Sequence, residues 1–348
     1  MGEKGLFDEE LRLRRLSNMG DPLEKLSERI DFEIFRGKIE RALEKEVKGS
    51  GGRTRFDVIM MFKIVLLQQW YNISDDNTEY LINDRLSFQR FLGLTLTDKV
   101  PDSKTIWHFR EELKEAKIER KLFKRFTALL ESQDLVKREG SLIDASFVDV
   151  PRQRNNREEN KQIKEGEGES LWKEDVHKKS QKDVDARWTT KNKERHYGYK
   201  NHVKVDTKSK IILEYTVTSC EVHDSKEIVA LLDEKDKIIY ADSAYVGEEL
   251  HEQIKEKSPE IEIKIHEKGY RNKPLTEEQK TNNNAKSKIR ARVEHVFGYM
   301  TNSMGGMTNR VIGKKRNECM IALKNLAYNI SRYVYLTKAP LQECVVMG

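Results

Sequence analysis

The sequence is short of several things at once. It has three cysteines in 348 residues, Cys220, Cys319 and Cys344. So sparse and odd a set argues against a disulfide scaffold or a Cys-based zinc site and suits a reducing compartment. Hydrophobic residues make up 37%, against the ~45–50% usual for a globular chain. The longest apolar stretch, Val58 to Leu67, is ten residues with Lys63 inside it; a membrane span needs about 20. The opening MGEKGLFDEELRLRR has no apolar core to act as a signal peptide, and Leu6 stands where a myristoylation signal needs Ser or Thr. Collagen, coiled coil throughout and a membrane bundle are excluded.

What the chain has in excess is charge, 36% against a usual ~25%. Lys and Arg number 65 and Asp and Glu 59, a net +6. The excess is unevenly placed: Glu267–Lys338 carries 15 Lys/Arg and 5 Glu, a local +10. A basic block on a near-neutral body points to a polyanion, nucleic acid first, although charge alone does not separate this from a solvated face.

At roughly 100–200 residues per domain the length suggests about two domains. Residues 1–135 read as all helical. Asp21-Pro22 is a helix start, Asp31 precedes Phe32, Phe35, Ile39 and Leu43 at helical spacing, and Gly49-Ser50-Gly51-Gly52 is a flexible turn. Phe56–Tyr71 predicts the core helix of this part. Ser74 and Asp102 or Ser103 cap later helices. Residues 136–340 read differently. The segments 141–150, 199–206, 211–218, 237–242 and 261–265 predict five strands, with helices over 225–233, 247–257, 285–300 and 318–336. Residues 152–195 are polar and predict a loose insertion. Three antiparallel strands followed by alternating helices and strands give a mixed five-stranded α/β sheet, the layout of ribonuclease H-like nucleases by analogy.

Three acids stand out in this frame. Asp144 follows Leu142-Ile143 inside a strand, where Asp is disfavoured. Asp242 ends the run Ile238-Ile239-Tyr240-Ala241. Glu294 lies mid-helix beside Val293, Val296 and Phe297. Each has an ordinary explanation alone: edge-strand acid, turn former, or i,i+4 partner of Arg290. Jointly they say more, because this topology sets the first and fourth strands side by side with the Glu294 helix across them. Three carboxylates make an oxygen-only site suited to Mg²⁺ or Mn²⁺. A pair of such ions can clamp the attacking and leaving oxygens of phosphoryl transfer.

The blocks FDVIMMFKIVLLQQWYNISDDNTEYLINDRLSFQRFLGL, PDSKTIWHFREEL, LIDASFVDVP, HYGYKNHVKVD, HDSKE, YADSAYVG, RARVEHVFGYM and NLAYNISRYV resemble those of bacterial insertion-sequence transposases of the DDE type, in the IS-five group. The resemblance covers most of the chain. It implies a ribonuclease H-like catalytic domain preceded by an all-α DNA-binding and dimerisation domain, Asp144, Asp242 and Glu294 as catalytic and metal-binding acids, and Mg²⁺ as cofactor, with Mn²⁺ a substitute. It implies cutting at terminal inverted repeats, transfer of the 3′-hydroxyls to target DNA, a homodimer in the synaptic complex, and a prokaryotic cytoplasmic, nucleoid-associated location. The family pattern Y-x2-R-x3-E-x6-K is matched at Arg290 and Glu294, but Ser287 and Thr301 stand at the Tyr and Lys positions. Two alternatives stay open: a ribonuclease H-like nuclease or resolvase without strand transfer, and a decayed, non-catalytic DNA-binding protein.

Candidate DNA contacts are Arg290, as a phosphate clamp, with Lys286, Lys288, Arg292 and Lys200, and the basic stretch Arg310, Lys314, Lys315 and Arg316. Asp224 is expected to cap a helix, Asp149 to end a strand, and Trp188 to be a packing anchor or a base-stacking ring. Helices around 74–83, 87–91 and 103–110 could form a helix-turn-helix.

Overall fold

The computed structural model describes residues 7–44, 55–191, 193–242, 248–267 and 275–338. The Gly49–Gly52 turn, Cys344 and most of the YADSAYVG block lie outside them. The first part is helical: α1 (Asp8–Asn18), α2 (Pro22–Arg29), α3 (Arg36–Leu43), α4 (Val58–Tyr71), α5 (Asp75–Asp84), α6 (Leu86–Leu92), α7 (Ser103–Glu115) and α8 (Glu119–Ser132). Local chemistry starts these helices. The carboxylates of Asp21, Asp57 and Asp102 and the hydroxyl of Ser74 accept the first free backbone N–H groups of α2, α4, α7 and α5. Asp31 caps a short 3-10 turn, Phe32–Phe35, ahead of α3. Phe32, Phe35, Ile39 and Leu43 are all buried. Helix α4 is apolar all round because it is buried nearly all round, and its Trp70 indole N–H donates to the Ala327 carbonyl at 3.0 Å.

The second part runs β1 (Ser141–Asp149), α9 (Arg157–Lys164), α10 (Val176–Ser180), β2 (Arg187–Lys191), β3 (Glu194–Asp206), β4 (Ile212–Ser219), α11 (Ile228–Leu231), β5 (Ile238–Ala241), α12 (Glu248–Lys257), β6 (Glu262–Ile265), α13 (Glu277–Asn302) and α14 (Lys314–Leu336). Among the described residues the sheet has six strands, not the expected five. Its order is β2-β3-β1-β5-β6, with β4 also paired to β3. β1 is antiparallel to β3 and parallel to β5, and β5 is parallel to β6. The extra strand comes from the polar insertion. RWTTK pairs with β3 from Arg187↔Gly198 to Lys191↔Glu194 and is half exposed, so no apolar alternation marks it. The rest of the insertion holds α9, α10 and a 3-10 turn.

Alternation along the strands sends side chains to two faces. Leu142, Val203, Val205 and Tyr240 join the main core with α13, α14 and the N-terminal helices. Ile143, Ile239 and Ala241 pack instead with Ile228, Leu231 and Ile254. Helix α14 is pinned to the sheet by amides. Asn325 and Asn201 exchange hydrogen bonds at 2.8 and 3.1 Å. Asn329 binds both the N–H and the carbonyl of Ile212, next to a register shift at Lys204/Val205. On the other face Lys204, fully buried, reaches Asp233 and Asp236 at 2.9 and 2.7 Å. No helix among the described residues is long and apolar enough to cross a membrane.

Candidate functional site: two aspartates and an arginine

Strands β1 and β5 pair Ser141 with Ile239 and Leu142 with Tyr240. The same offset sets Asp144 level with Asp242, and alternation turns Asp144 to the side of Leu142, where α13 lies. Arg290 of α13 meets both acids: its guanidinium is 3.8 Å from an Asp144 oxygen and 3.6 Å from an Asp242 oxygen. Asp144 is the more enclosed, its side chain 21% exposed against 47% for Asp242. Burial pushes the Asp144 carboxyl above the usual range, opposed by the Ala145 N–H it accepts at 2.8 Å and by the Arg290 charge.

Arg290 is itself held. His266, the first residue after β6, accepts or donates to Ser287 Oγ at 2.8 Å through Nε2 and lies 3.5 Å from Arg290 through Nδ1. The hydroxyl at the expected tyrosine position thus serves a short relay, Ser287–His266–Arg290. Sequence reasoning missed His266. Its signal was its place at the carboxyl end of a parallel strand, where open α/β sheets bind ligands.

Glu294 follows Arg290 by one turn on α13 and is exposed. Among the described residues no group of three His, Cys, Asp or Glu side chains is arranged to hold a metal ion. The donor set still fits a hard divalent cation at its centre. Two carboxylates, one of them largely buried, approach the same guanidinium, which stands where a cation would. The Arg290 Nε is buried without a hydrogen-bond partner, so the arginine is poorly satisfied in that place.

The other basic candidates divide by what they touch. Lys286 donates to the Ile265 carbonyl at 2.8 Å and Arg292 to the Thr207 carbonyl at 2.6 Å; both tie α13 to the sheet. Lys200 is nearly buried and bound to Asp224 at 2.8 Å and the Val222 carbonyl at 2.6 Å. Asp224 is therefore the partner of a buried lysine, while His223 caps the turn that follows. Lys288, Arg310, Lys314 and Lys315 are exposed. Arg316 is bound to Glu111 through two bonds of 2.7 and 2.9 Å. Asp149 ends β1, where its backbone joins Met307 and Asn309. Trp188 is exposed on β2, tilted against Tyr197 and under the Arg152 guanidinium. His295 points to Lys210, at 3.1 Å.

Comparison with known proteins shows the family of the chain. Residues 136–330 match a family model described as a transposase DDE domain, and residues 11–112 match one described as a transposase domain (DUF772). A cryo-EM structure of a piggyBac transposase synaptic complex with hairpin DNA is similar at 13% identity and a TM-score of 0.46, over 93% of this chain and 76% of that one. The first family match alone spans more than half of the chain, and the protein belongs to the DDE-domain transposases, enzymes that cut DNA and join its strands.

Proposed function

We propose that this transposase, of the IS-five group of insertion-sequence enzymes, binds the terminal inverted repeats of its element, cuts a phosphodiester bond at each end and transfers the 3′-hydroxyls to target DNA. The observation that carries the reading is Asp144 on β1 and Asp242 just past the end of the parallel neighbour β5, both within 4 Å of Arg290. Asp144 and Asp242 would hold Mg²⁺ or Mn²⁺, and Glu294 would complete the set from α13. Such ions, when bound, stabilise charge at the scissile phosphate and make the attacking hydroxyl more acidic. Arg290 contacts the phosphate next to that bond, oriented by His266. Lys288, Lys314 and Lys315 meet the DNA backbone farther out. Residues 1–135 act as the DNA-binding and dimerisation part and residues 136–340 as the catalytic part. Two ends must be held together, so the working unit is a homodimer.

The test is Mg²⁺-dependent cutting of linear DNA carrying the gene's native flanking ends, beside scrambled ends and an Asp242→Ala protein. End-specific cuts that vanish in the variant support the reading. Equal cutting of both DNAs would indicate a nuclease, and binding without cutting a decayed enzyme.

A further inference from the structure

A cavity of about 440 Å³ lies away from the aspartates, within the ~300–1,000 Å³ usual for small-ligand sites. The end of α4, the start of α5 and α7 form one wall, and the 308–312 segment and α14 form the other. Its lining is strongly cationic. Arg110, Arg310, Arg316 and Lys324 face one acid of the lining, Asp75. Two of these charges are fixed in place: Arg110 grips Asp75 at 2.5 and 3.0 Å, and Arg316 grips Glu111. Lys324 is buried, donates to the carbonyls of Met304 and Gly306, and is pulled by burial to about 8.

Arg310 differs from the others. It has no carboxylate partner among the described residues; its guanidinium donates to Asn72 Oδ1 at 2.7 Å, while the Asn72 amide donates to the Gly305 carbonyl at 2.6 Å. The arginine is thus aimed and keeps donors to spare. Trp107, on the α7 wall, is 46% exposed, with the His108 ring edge-on to it at 6.5 Å. A flat ring and an aimed guanidinium are what a nucleobase and its phosphate require.

The cavity is also within reach of the aspartates. Thr308, on its wall, is bridged to Asp149 at the end of β1. Asp149 lies five residues beyond Asp144, or about 17 Å at ~3.3 Å per residue. With stacked bases ~3.4 Å apart along a duplex strand, that is about five base pairs.

We propose that this cavity takes one unpaired nucleotide of the DNA strand, its base stacked on Trp107 and its phosphate held by Arg310. The inference rests on the reading of the protein as a DNA-cutting enzyme, but needs neither metal nor cutting to be tested. The full-length protein would be irradiated with a single-stranded thymidine 20-mer carrying 5-iododeoxyuridine, and the attached peptide mapped by mass spectrometry. The expected cross-link is on the peptide containing Trp107. In parallel, Trp107→Ala and Arg310→Ala should each weaken binding of the single strand at least about fivefold, leave a 20-base-pair duplex within about twofold, and Trp107→Phe should restore most of the loss. Cross-links confined to other peptides, or equal loss for single strand and duplex, would overturn the proposal. An Asp144→Ala protein separates the two readings: it should lose cutting and keep the Trp107 cross-link.

Discussion

Replacing Arg290 with methionine removes the cation between Asp144 and Asp242 and keeps the bulk of the side chain. At 3.6–3.8 Å and an effective dielectric of about 20, each contact represents roughly 4.5 kcal/mol of gross attraction. All three side chains keep some solvent, and Asp242 is nearly half exposed, so screening brings the net loss nearer ~1 kcal/mol per contact. The variant should melt about 2–5 °C lower at neutral pH. It should also bind Mn²⁺ more tightly, because the metal no longer has to displace the guanidinium. Relief of ~1–2 kcal/mol corresponds to roughly 5- to 30-fold in affinity. Thermal denaturation followed over a Mn²⁺ titration reads both effects, since a ligand raises the melting point in proportion to the logarithm of its occupancy ratio. An Asp144→Asn protein serves as the control that should lose the metal response. An unchanged melting point together with the same Mn²⁺ response as the parent protein would refute the idea that Arg290 stands where a cation belongs.

Three further outcomes follow from the fold. Lys204→Met strands the buried Asp236 and should cost about 3–5 kcal/mol, read by chemical denaturation. His202 is buried, bound to Thr218 Oγ1 at 2.8 Å, and held by burial down to about 4. The unfolded chain binds this proton first, so stability present above about pH 6.5 is lost as pH falls toward 4; His202→Gln should flatten that part of the melting-point profile. Gly198 has φ +145°, and a Cβ there would lie 2.4 Å from the Val148 carbonyl. Gly198→Ala should cost about 3 kcal/mol and lower the yield of folded protein, measured by circular dichroism and denaturation.

Much of this architecture was legible in the residues. The caps at Asp21, Ser74 and Asp102 announce their helices because Asp and Ser side chains satisfy backbone donors within a few residues, a local interaction. The pairing of the strands that carry Asp144 and lead to Asp242 was legible from element order, which sets the first and fourth expected strands side by side, as β1 and β5 are. What escaped depends on distant partners. β2 is a strand because β3 extends back to Glu194 to receive it, and RWTTK alone gives no sign of that. Lys204 lies in a polar-looking position of YKNHVKVD and is buried only because Asp233 and Asp236 arrive from another element. Arg290 was read as a phosphate contact or a helix pair with Glu294; its approach to Asp144 on β1 and to Asp242 just past β5 depends on strands distant in sequence and was not read.

Whether Asp144, Asp242 and Glu294 gather around one metal ion is read by local oxidative cleavage. Fe²⁺ in place of Mg²⁺, with ascorbate and peroxide, cuts a polypeptide next to the bound ion. Backbone cuts are expected near residues 144, 242 and 294, suppressed by excess Mg²⁺ and absent in Asp144→Asn. Cuts near residues 144 and 242 without one near 294 would remove Glu294 from the site, and no cutting at any of the three would mean that these acids hold no metal.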